Sequence, residues 1–319
     1  MKNIALLGAG SHLGKGLISE FARLRFDDFD RMSLYARDPD AVSLWIRSKL
    51  KLEKQVYPTN LFGAEQFGIV INAIGVSDTN QIIDSGSRAF EINRQYDERV
   101  MMYLESFPTS KYIFISSGAV YGGEFQDPAT NQSLARVNLN APSQMDWYGL
   151  AKLSSEIRHR SKPNFAIVDV RVYGYMSPWL PLDKPFFLAD IAKSLIQNIP
   201  LQTDRRNFWR DYIGPSELAG VIFAVIDSPP RNTSIDVYSS APILKTEMLD
   251  MLTRQFFLMI DFDSDLTINS VATYKFNYFT KDKRAADFGF SPKRTSERVI
   301  MEELCSLLAA SKPQPSGAI

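Results

Sequence analysis

Tyr148 and Lys152 stand four residues apart in Tyr148-Gly149-Leu150-Ala151-Lys152, a spacing that puts a phenol and an ammonium on one helix face, one turn apart. A tyrosine with a pKa near 10 is a poor base at neutrality, and a neighbouring cation in a sheltered site favours its phenolate. Such a pair takes a proton from an alcohol as it is oxidised, or returns one to a carbonyl oxygen as it is reduced. The spacing alone is weak evidence in a chain with thirteen tyrosines, because an ordinary surface helix produces it too. The preceding segment, Tyr112-Ile113-Phe114-Ile115-Ser116-Ser117-Gly118-Ala119, adds weight. An apolar strand ending in two serines delivers a hydroxyl to the carboxyl edge of a sheet, where Ser117 can donate to a carbonyl or a developing alkoxide.

Hydride chemistry needs a carrier, and the start of the chain offers a place for one. Leu7-Gly8-Ala9-Gly10-Ser11-His12-Leu13-Gly14 follows a short apolar run and opens a helical pattern. Glycines allow a tight turn and a close approach to a pyrophosphate, and the helix N-terminus supplies free N–H groups. Gly8, Gly10 and Gly14 fit neither G-x-G-x-x-G nor G-x-x-G-x-x-G in full. Their place after the first strand is the context a dinucleotide turn requires. At the end of the second strand, Ala36 takes the position of the acid that would hold the adenosine ribose, and Arg37 follows. An arginine there suits the 2′-phosphate of NADP, which is expected in preference to NAD; the competing reading makes Arg37 a surface charge and Asp38 the ribose acid.

These groups must be positioned by elements that the pattern also predicts. Short β-rich runs at Asn3–Leu7, Arg31–Tyr35, Gln55–Tyr57, Ile69–Ile74, Tyr112–Ser116 and Phe165–Val172 alternate with helical stretches. Those stretches are Leu13–Leu24, Ala41–Ser48, Gln81–Glu105 and Trp147–Arg160. The alternation predicts an α/β fold: a Rossmann-like doubly wound parallel sheet. After Pro178 the rhythm turns to helices at Phe186–Gln197, Ser216–Ile226, Lys245–Gln255 and Arg294–Leu308. We therefore expect a cofactor-binding domain over residues 1–178, a smaller C-terminal α/β substrate lobe over 179–310, and a loose tail over 311–319.

Composition narrows the class further. Lys plus Arg balances Asp plus Glu at 36 each, which argues against nucleic acid or an anionic membrane as a partner. One cysteine excludes an internal disulfide, and two histidines make a zinc site improbable; no metal is expected. Without an apolar run long enough for a membrane span or a leader at its start, the chain is expected to be soluble and cytoplasmic.

The order of glycine turn, Ser116-Ser117-x-x-Val120-Tyr121-Gly122 and Tyr148-Gly149-x-x-Lys152-x-x-x-Glu156 resembles the extended short-chain dehydrogenase/reductases, the NAD-dependent epimerase/dehydratase family. Asn60-Leu61 is similar to the family's Asp-Leu near the adenine, and Ile69–Gly75 to its fourth strand. Asn93, Arg210-Asp211-Tyr212-Ile213 and Phe288-Gly289-Phe290-Ser291-Pro292 extend the resemblance through the chain. The resemblance implies catalysis by Ser117, Tyr148 and Lys152. It also implies a cofactor site drawn from Gly8, Gly10, Ser11, His12, Leu13, Gly14, Arg37, Asn60, Leu61, Ala73, Ile74, Gly75, Asn93, Tyr148, Lys152 and Val172. Substrate contacts would come from Ser117, Gly118, Tyr148 and Arg210, the substrate would be a nucleotide-linked sugar, and the protein a homodimer through its two long helices. Asn93 also sits on an apolar stripe with Phe90, Tyr96, Val100 and Leu104, so a bracing role stands beside the cofactor one.

Departures from the family pattern restrict the chemistry. An Asp-Glu pair follows the catalytic hydroxyl in the sugar 4,6-dehydratases; here Gly118 and Ala119 stand there and cannot exchange a proton, which removes that reaction. Gly174 replaces the asparagine that meets the sugar-nucleotide phosphates, and no late arginine occurs in Ser270–Phe279, although Lys275 does. Arg205, Arg206 and Arg210 are candidates for a diphosphate clamp. The reading is an NAD(P)-dependent oxidoreductase that reduces or epimerises a keto or hydroxy group of a nucleotide-activated sugar. A reductase of a non-nucleotide carbonyl compound and a non-catalytic NAD(P)-binding regulatory protein are the alternatives.

Overall fold

Strands buried on both faces read as unbroken apolar runs, and β1 (Ile4–Leu7) and β4 (Ile69–Asn72) bury every residue. The computed structural model describes residues 3–75, 86–122, 125–140, 142, 146–263 and 275–311. The expected helix start at Gln81, residues 270–274 and the tail beyond Ser311 lie outside them. Between β1 and β4 the chain forms α1 (His12–Leu24), a short α2 (Phe26–Asp30), β2 (Met32–Ala36), α3 (Pro39–Trp45) and β3 (Val56–Pro58). It continues through α4 (Gly86–Ser106), β5 (Lys111–Ser117), α5 (Asp146–Arg160) and β6 (Ala166–Val172).

The remainder comprises β7 (Gly174–Tyr175), α6 (Phe187–Gln197), β8 (Leu201–Thr203), β9 (Trp209–Arg210), β10 (Tyr212–Ile213) and α7 (Pro215–Asp227). Then follow β11 (Thr233–Asp236), β12 (Ile243–Leu244), α8 (Lys245–Phe256), β13 (Ile260–Phe262), β14 (Asn277–Tyr278) and α9 (Ser296–Ser311).

Seven strands form one parallel sheet in the order β11-β6-β5-β4-β1-β2-β3. The order reverses between β1 and β4, where Leu7 pairs with Asn72, and a crevice opens beyond the carboxyl ends there. This is the doubly wound sheet that the sequence predicts. Two apolar layers cover its faces, and a separate core built on Met176, Leu188, Ile191, Met248, Leu252 and Leu304 belongs to the later segments. The expected division at residue 178 is crossed by two elements: β11 pairs with β6, and α7 packs on α1.

The inner face of α5 is polar rather than apolar. Lys152, Ser155, Glu156 and His159 are all buried on it, so each must find a partner. His159 lies between Asp169 of β6, at 2.6 Å, and Asp97 of α4, at 2.8 Å. Burial opposes its charge, but the carboxylates of Asp169 and Asp97 outweigh that and raise its pKa to about 9. Asp97 also binds Arg158 and accepts from the Tyr112 hydroxyl at 2.9 Å.

A histidine pKa raised from 6.5 to about 9 contributes stability that is complete below the unfolded value and lost as pH rises through about 9. The denaturant midpoint should therefore fall between pH 7 and pH 10, and this slope should flatten in His159→Gln. That variant should also lose about 3 kcal/mol at pH 7, because it leaves two buried carboxylates short of a cation.

Candidate active site

Ser117 ends β5, and its Oγ accepts from the Ala119 N–H at 3.2 Å as the chain enters a 3₁₀ turn, Gly118–Tyr121. A Cβ on Gly149 would overlap the Ala119 carbonyl, so a glycine lets α5 lie directly on this turn. That contact brings Tyr148 to the cleft wall that Ser117 also lines. Burial pushes the Tyr148 pKa up to about 12 and the Ser117 hydrogen bond opposes it, so the phenol keeps its proton at neutral pH.

Lys152 is held by the strands beneath it. Its Nζ donates to the carbonyls of Ile115, at 2.9 Å, and Ile74, at 3.2 Å, and stands 4.3 Å from the centre of the Phe114 ring. Burial lowers its pKa to about 8, against the pull of the Asp97, Glu156 and Asp169 carboxylates. Burial and, against it, Ser117 act on the Tyr148 pKa, while strand carbonyls hold the Lys152 ammonium.

One cleft at the carboxyl edge of the sheet gathers Ser11, His12, Leu13, Ala73, Ile74, Gly75, Ser117, Tyr148, Lys152, Val172 and Arg210. Gly8 turns with φ +83°, and a Cβ there would stand 2.8 Å from the Ala73 backbone. On Gly14 a Cβ would overlap the Gly8 carbonyl, and on Gly10 it would approach Val42 to 3.2 Å. The glycines thus shape a cradle from behind while Ser11 to Leu13 face the cleft. Ser11 caps α1 by accepting from the Gly14 N–H at 2.9 Å. His12 sits edge-on to Tyr175, with ring centroids 4.7 Å apart; burial, then Lys15, lowers its pKa to about 3 and keeps it neutral. A neutral turn at a helix N-terminus, closed by glycines and floored by apolar strand ends, fits a dinucleotide pyrophosphate.

Other expected residues lie outside the cleft. Arg37 is exposed at the end of β2, and Asp38 caps α3 by accepting from the Ala41 N–H at 3.0 Å. Asn60 and Leu61 are exposed on a 3₁₀ turn after β3 that Arg99 pins through the Asn60 carbonyl at 2.6 Å. Asn93 does not reach the cleft. Its side-chain nitrogen donates to the Ala151 carbonyl at 2.9 Å and to Ser155 Oγ at 2.8 Å, so it ties α4 to α5. These contacts are those of the bracing role that stands beside the cofactor one in the sequence.

The glycine departures have steric reasons. A Cβ on Gly118 would overlap the Tyr173 ring, and one on Gly174 would come within 2.6 Å of the Tyr212 ring, because β7 pairs with β10 there. Of the three candidate clamp arginines only Arg210 lines the cleft. Arg206 is spent on Asp204, at 2.5 Å, and Arg205 lies over the Phe262 ring. Arg210 is buried and donates to the carbonyls of Trp209, at 2.8 Å, and Lys275, at 2.6 Å.

Sequence reasoning missed Tyr278 and left Lys275 without a role. Both line the cleft; Tyr278 places its hydroxyl 3.2 Å from Ser117 Oγ, and Lys275 is buried 4.3 Å from the centre of the Tyr278 ring. Burial and Arg210 lower the Lys275 pKa to about 7, which Asp146 partly offsets. No spacing rule links Tyr278 to Ser117, since 161 residues separate them. Among the described residues no group of three metal-ligating side chains occurs, and no helix is long and apolar enough to cross a membrane.

The bracing role of Asn93 has a direct measure. Asn93→Ala should lose about 1–3 kcal/mol of unfolding free energy by leaving buried partners unpaired, while the fluorescence-titrated NADPH affinity stays within twofold. A large loss of affinity at unchanged stability would restore the cofactor contact.

A family model described as "NAD dependent epimerase/dehydratase family" matches residues 6–239. No curated protein matches the chain in sequence. Among solved structures, the chain is similar to a UDP-N-acetylglucosamine 4-epimerase from Methanobrevibacter ruminantium in complex with UDP-N-acetylmuramic acid. That match has a TM-score of 0.79 and 13% identity, over 97% of this chain and 99% of the other. The UDP-glucuronic acid 4-epimerase from Bacillus cereus in complex with UDP-glucuronic acid and NAD matches with a TM-score of 0.76 and 15% identity, over 96% and 99%. RMD from Pseudomonas aeruginosa, complexed with NADPH, matches with a TM-score of 0.72 and 15% identity, over 97% and 100%. At these identities the likeness concerns the fold.

Proposed function

The chain belongs to the NAD dependent epimerase/dehydratase family, and on that basis we propose that it is a nicotinamide-dependent oxidoreductase that reduces or epimerises a keto or hydroxy group of a nucleotide-activated sugar. The observation that carries this reading is the meeting of Ser117, Tyr148 and Lys152 with the glycine cradle in one cleft. When bound, a nicotinamide dinucleotide supplies or accepts the hydride. Ser11, His12 and Leu13 would meet its pyrophosphate, and Ala73 to Gly75, Val172 and Lys152 would line the floor beneath it.

Tyr148 is the proton donor. A phenol that keeps its proton at neutral pH is ready to give it to the alkoxide that forms as a carbonyl is reduced, and Ser117 offers a second hydrogen bond to the same oxygen. Reduction is therefore the direction this geometry favours, with epimerisation as its reversible relative. NADP preference is supported by two features of one turn: Arg37 is exposed, and the Asp38 carboxylate is engaged as the α3 cap. Arg210 and Lys275 supply the cationic wall for a diphosphate, in place of the missing late arginine. Residues 179–310, apart from α7 and β11, form the substrate lobe. Exposed Met102 on α4 and Ile157 on α5 favour a dimer through these two helices.

Purified protein mixed with NADPH and a panel of keto-sugar nucleotides should consume the cofactor, and Tyr148→Phe should slow that consumption by about 10²–10⁴-fold. Product change without net consumption identifies an epimerase; turnover of simple ketones alone replaces the sugar nucleotide with another carbonyl substrate; silence on every substrate discards the catalytic reading. Separately, Arg37→Ala should weaken NADPH more than NADH by about tenfold, and equal losses for both would remove the NADP assignment.

A further inference from the structure

We propose that Tyr278, carried into the cleft by the C-terminal lobe, is a positioning residue that fixes the direction of the Ser117 hydroxyl proton and aims it at Tyr148 and the reacting oxygen. This inference rests on the hydride-transfer reading of the site and adds a residue from a distant part of the chain.

Hydrogen-bond accounting carries it. The Ala119 N–H donates to Ser117 Oγ at 3.2 Å. Ser117 Oγ and the Tyr278 hydroxyl lie 3.2 Å apart, close enough for one to donate to the other. Each has a single proton to give. Among the described residues Ser117 Oγ is the hydrogen-bond partner of the Tyr278 hydroxyl, and either oxygen can donate. If Ser117 donated to Tyr278, its single proton would be turned from the Tyr148 side of the cleft, and the Tyr278 proton would have no protein acceptor among the described residues. The arrangement that uses both protons has Tyr278 donating to Ser117 and leaves the Ser117 proton directed into the cleft that Tyr148 also lines. A substrate oxygen protonated by Tyr148 must lie beside that phenol, so the Ser117 proton faces it as well.

The Tyr278 ring is held independently of its hydroxyl. Phe125 meets it edge-on with centroids 4.8 Å apart, Tyr173 lies at 5.1 Å, and Lys275 sits 4.3 Å from its centre. A ring fixed in this way keeps the hydroxyl aimed at Ser117 without drawing on the hydrogen bond itself. Tyr278→Phe therefore preserves the packing and deletes only the donor.

A double-mutant cycle on Ser117→Ala and Tyr278→Phe tests the proposal at two levels. In denaturant unfolding, the two substitutions should be non-additive; additive effects mean the hydroxyls are not coupled and overturn it. This readout needs neither cofactor nor substrate, so it decides the coupling even if no sugar nucleotide turns over and the functional reading fails. With a turned-over substrate, Tyr278→Phe should lower kcat about tenfold with KM within twofold, and should add nothing in the Ser117→Ala background. The pH at which Tyr148 ionises in the kcat profile of the oxidation direction should also rise in Tyr278→Phe, because the phenolate loses an enforced donor. An unchanged kcat, or an equal loss with and without Ser117, would overturn the role.

Discussion

The Lys152 ammonium is a cation taken out of water and held by two backbone carbonyls, those of Ile74 just after β4 and Ile115 within β5. Such a charge is costly unless its partners are fixed, and here they are the ends of adjacent central strands. The interaction therefore ties α5 to the sheet at the point where the strand order reverses. Tyr148, one turn earlier on the same helix, owes its place over Ser117 to that anchor. The segment Ala73 to Gly75, which lines the cleft, owes its place to the same bond from the other side.

The rest of the α5 inner face continues the pattern. Glu156 accepts from Ser116 Oγ at 2.5 Å and from the Arg171 guanidinium, and Arg171 in turn reaches the Tyr121 hydroxyl at 2.5 Å. Asp236, on the outermost strand β11, accepts from Tyr173 at 2.9 Å and from Thr280 at 2.7 Å. A continuous polar seam therefore runs from α5 across the strand ends into the segment that bears Tyr278. Buried polar networks of this kind tolerate little rearrangement, because each member is satisfied by one geometry. The seam gives the two halves of the cleft a common frame.

Much of this was legible in the sequence. The first six strands are legible to within a residue or two because buried strands are short apolar runs bounded by glycine or polar residues. Ser117, Tyr148, Lys152 and the glycine turn were legible because their order along the chain repeats a family pattern, and the structure gathers them in one cleft. Asn93 is ambiguous in the sequence because a buried amide at helical spacing looks alike whether it meets a ligand or a neighbouring helix; in the structure its nitrogen meets Ala151 and Ser155. Lys152 reached toward strand ends, a choice that the i, i+4 spacing cannot specify. Tyr278 was illegible for a different reason: its role is a contact across the whole topology, and nothing local marks it. The same holds for β11, a four-residue strand whose membership of the sheet depends on β6.

That last strand bears on how the chain acquires its shape. β11 arrives at the sheet only after the chain has travelled through β7 to α7, and it covers the edge of β6 along four paired residues, Val168 to Arg171. During synthesis the first six strands emerge well before their outermost neighbour, so β6 waits as an open edge with unpaired backbone groups. An edge of that kind recruits other chains, and parallel sheets close slowly because their pairings join distant residues. The cofactor half is thus not a self-sufficient module: shortening the chain at Pro178 would leave an adhesive border in place of a finished sheet.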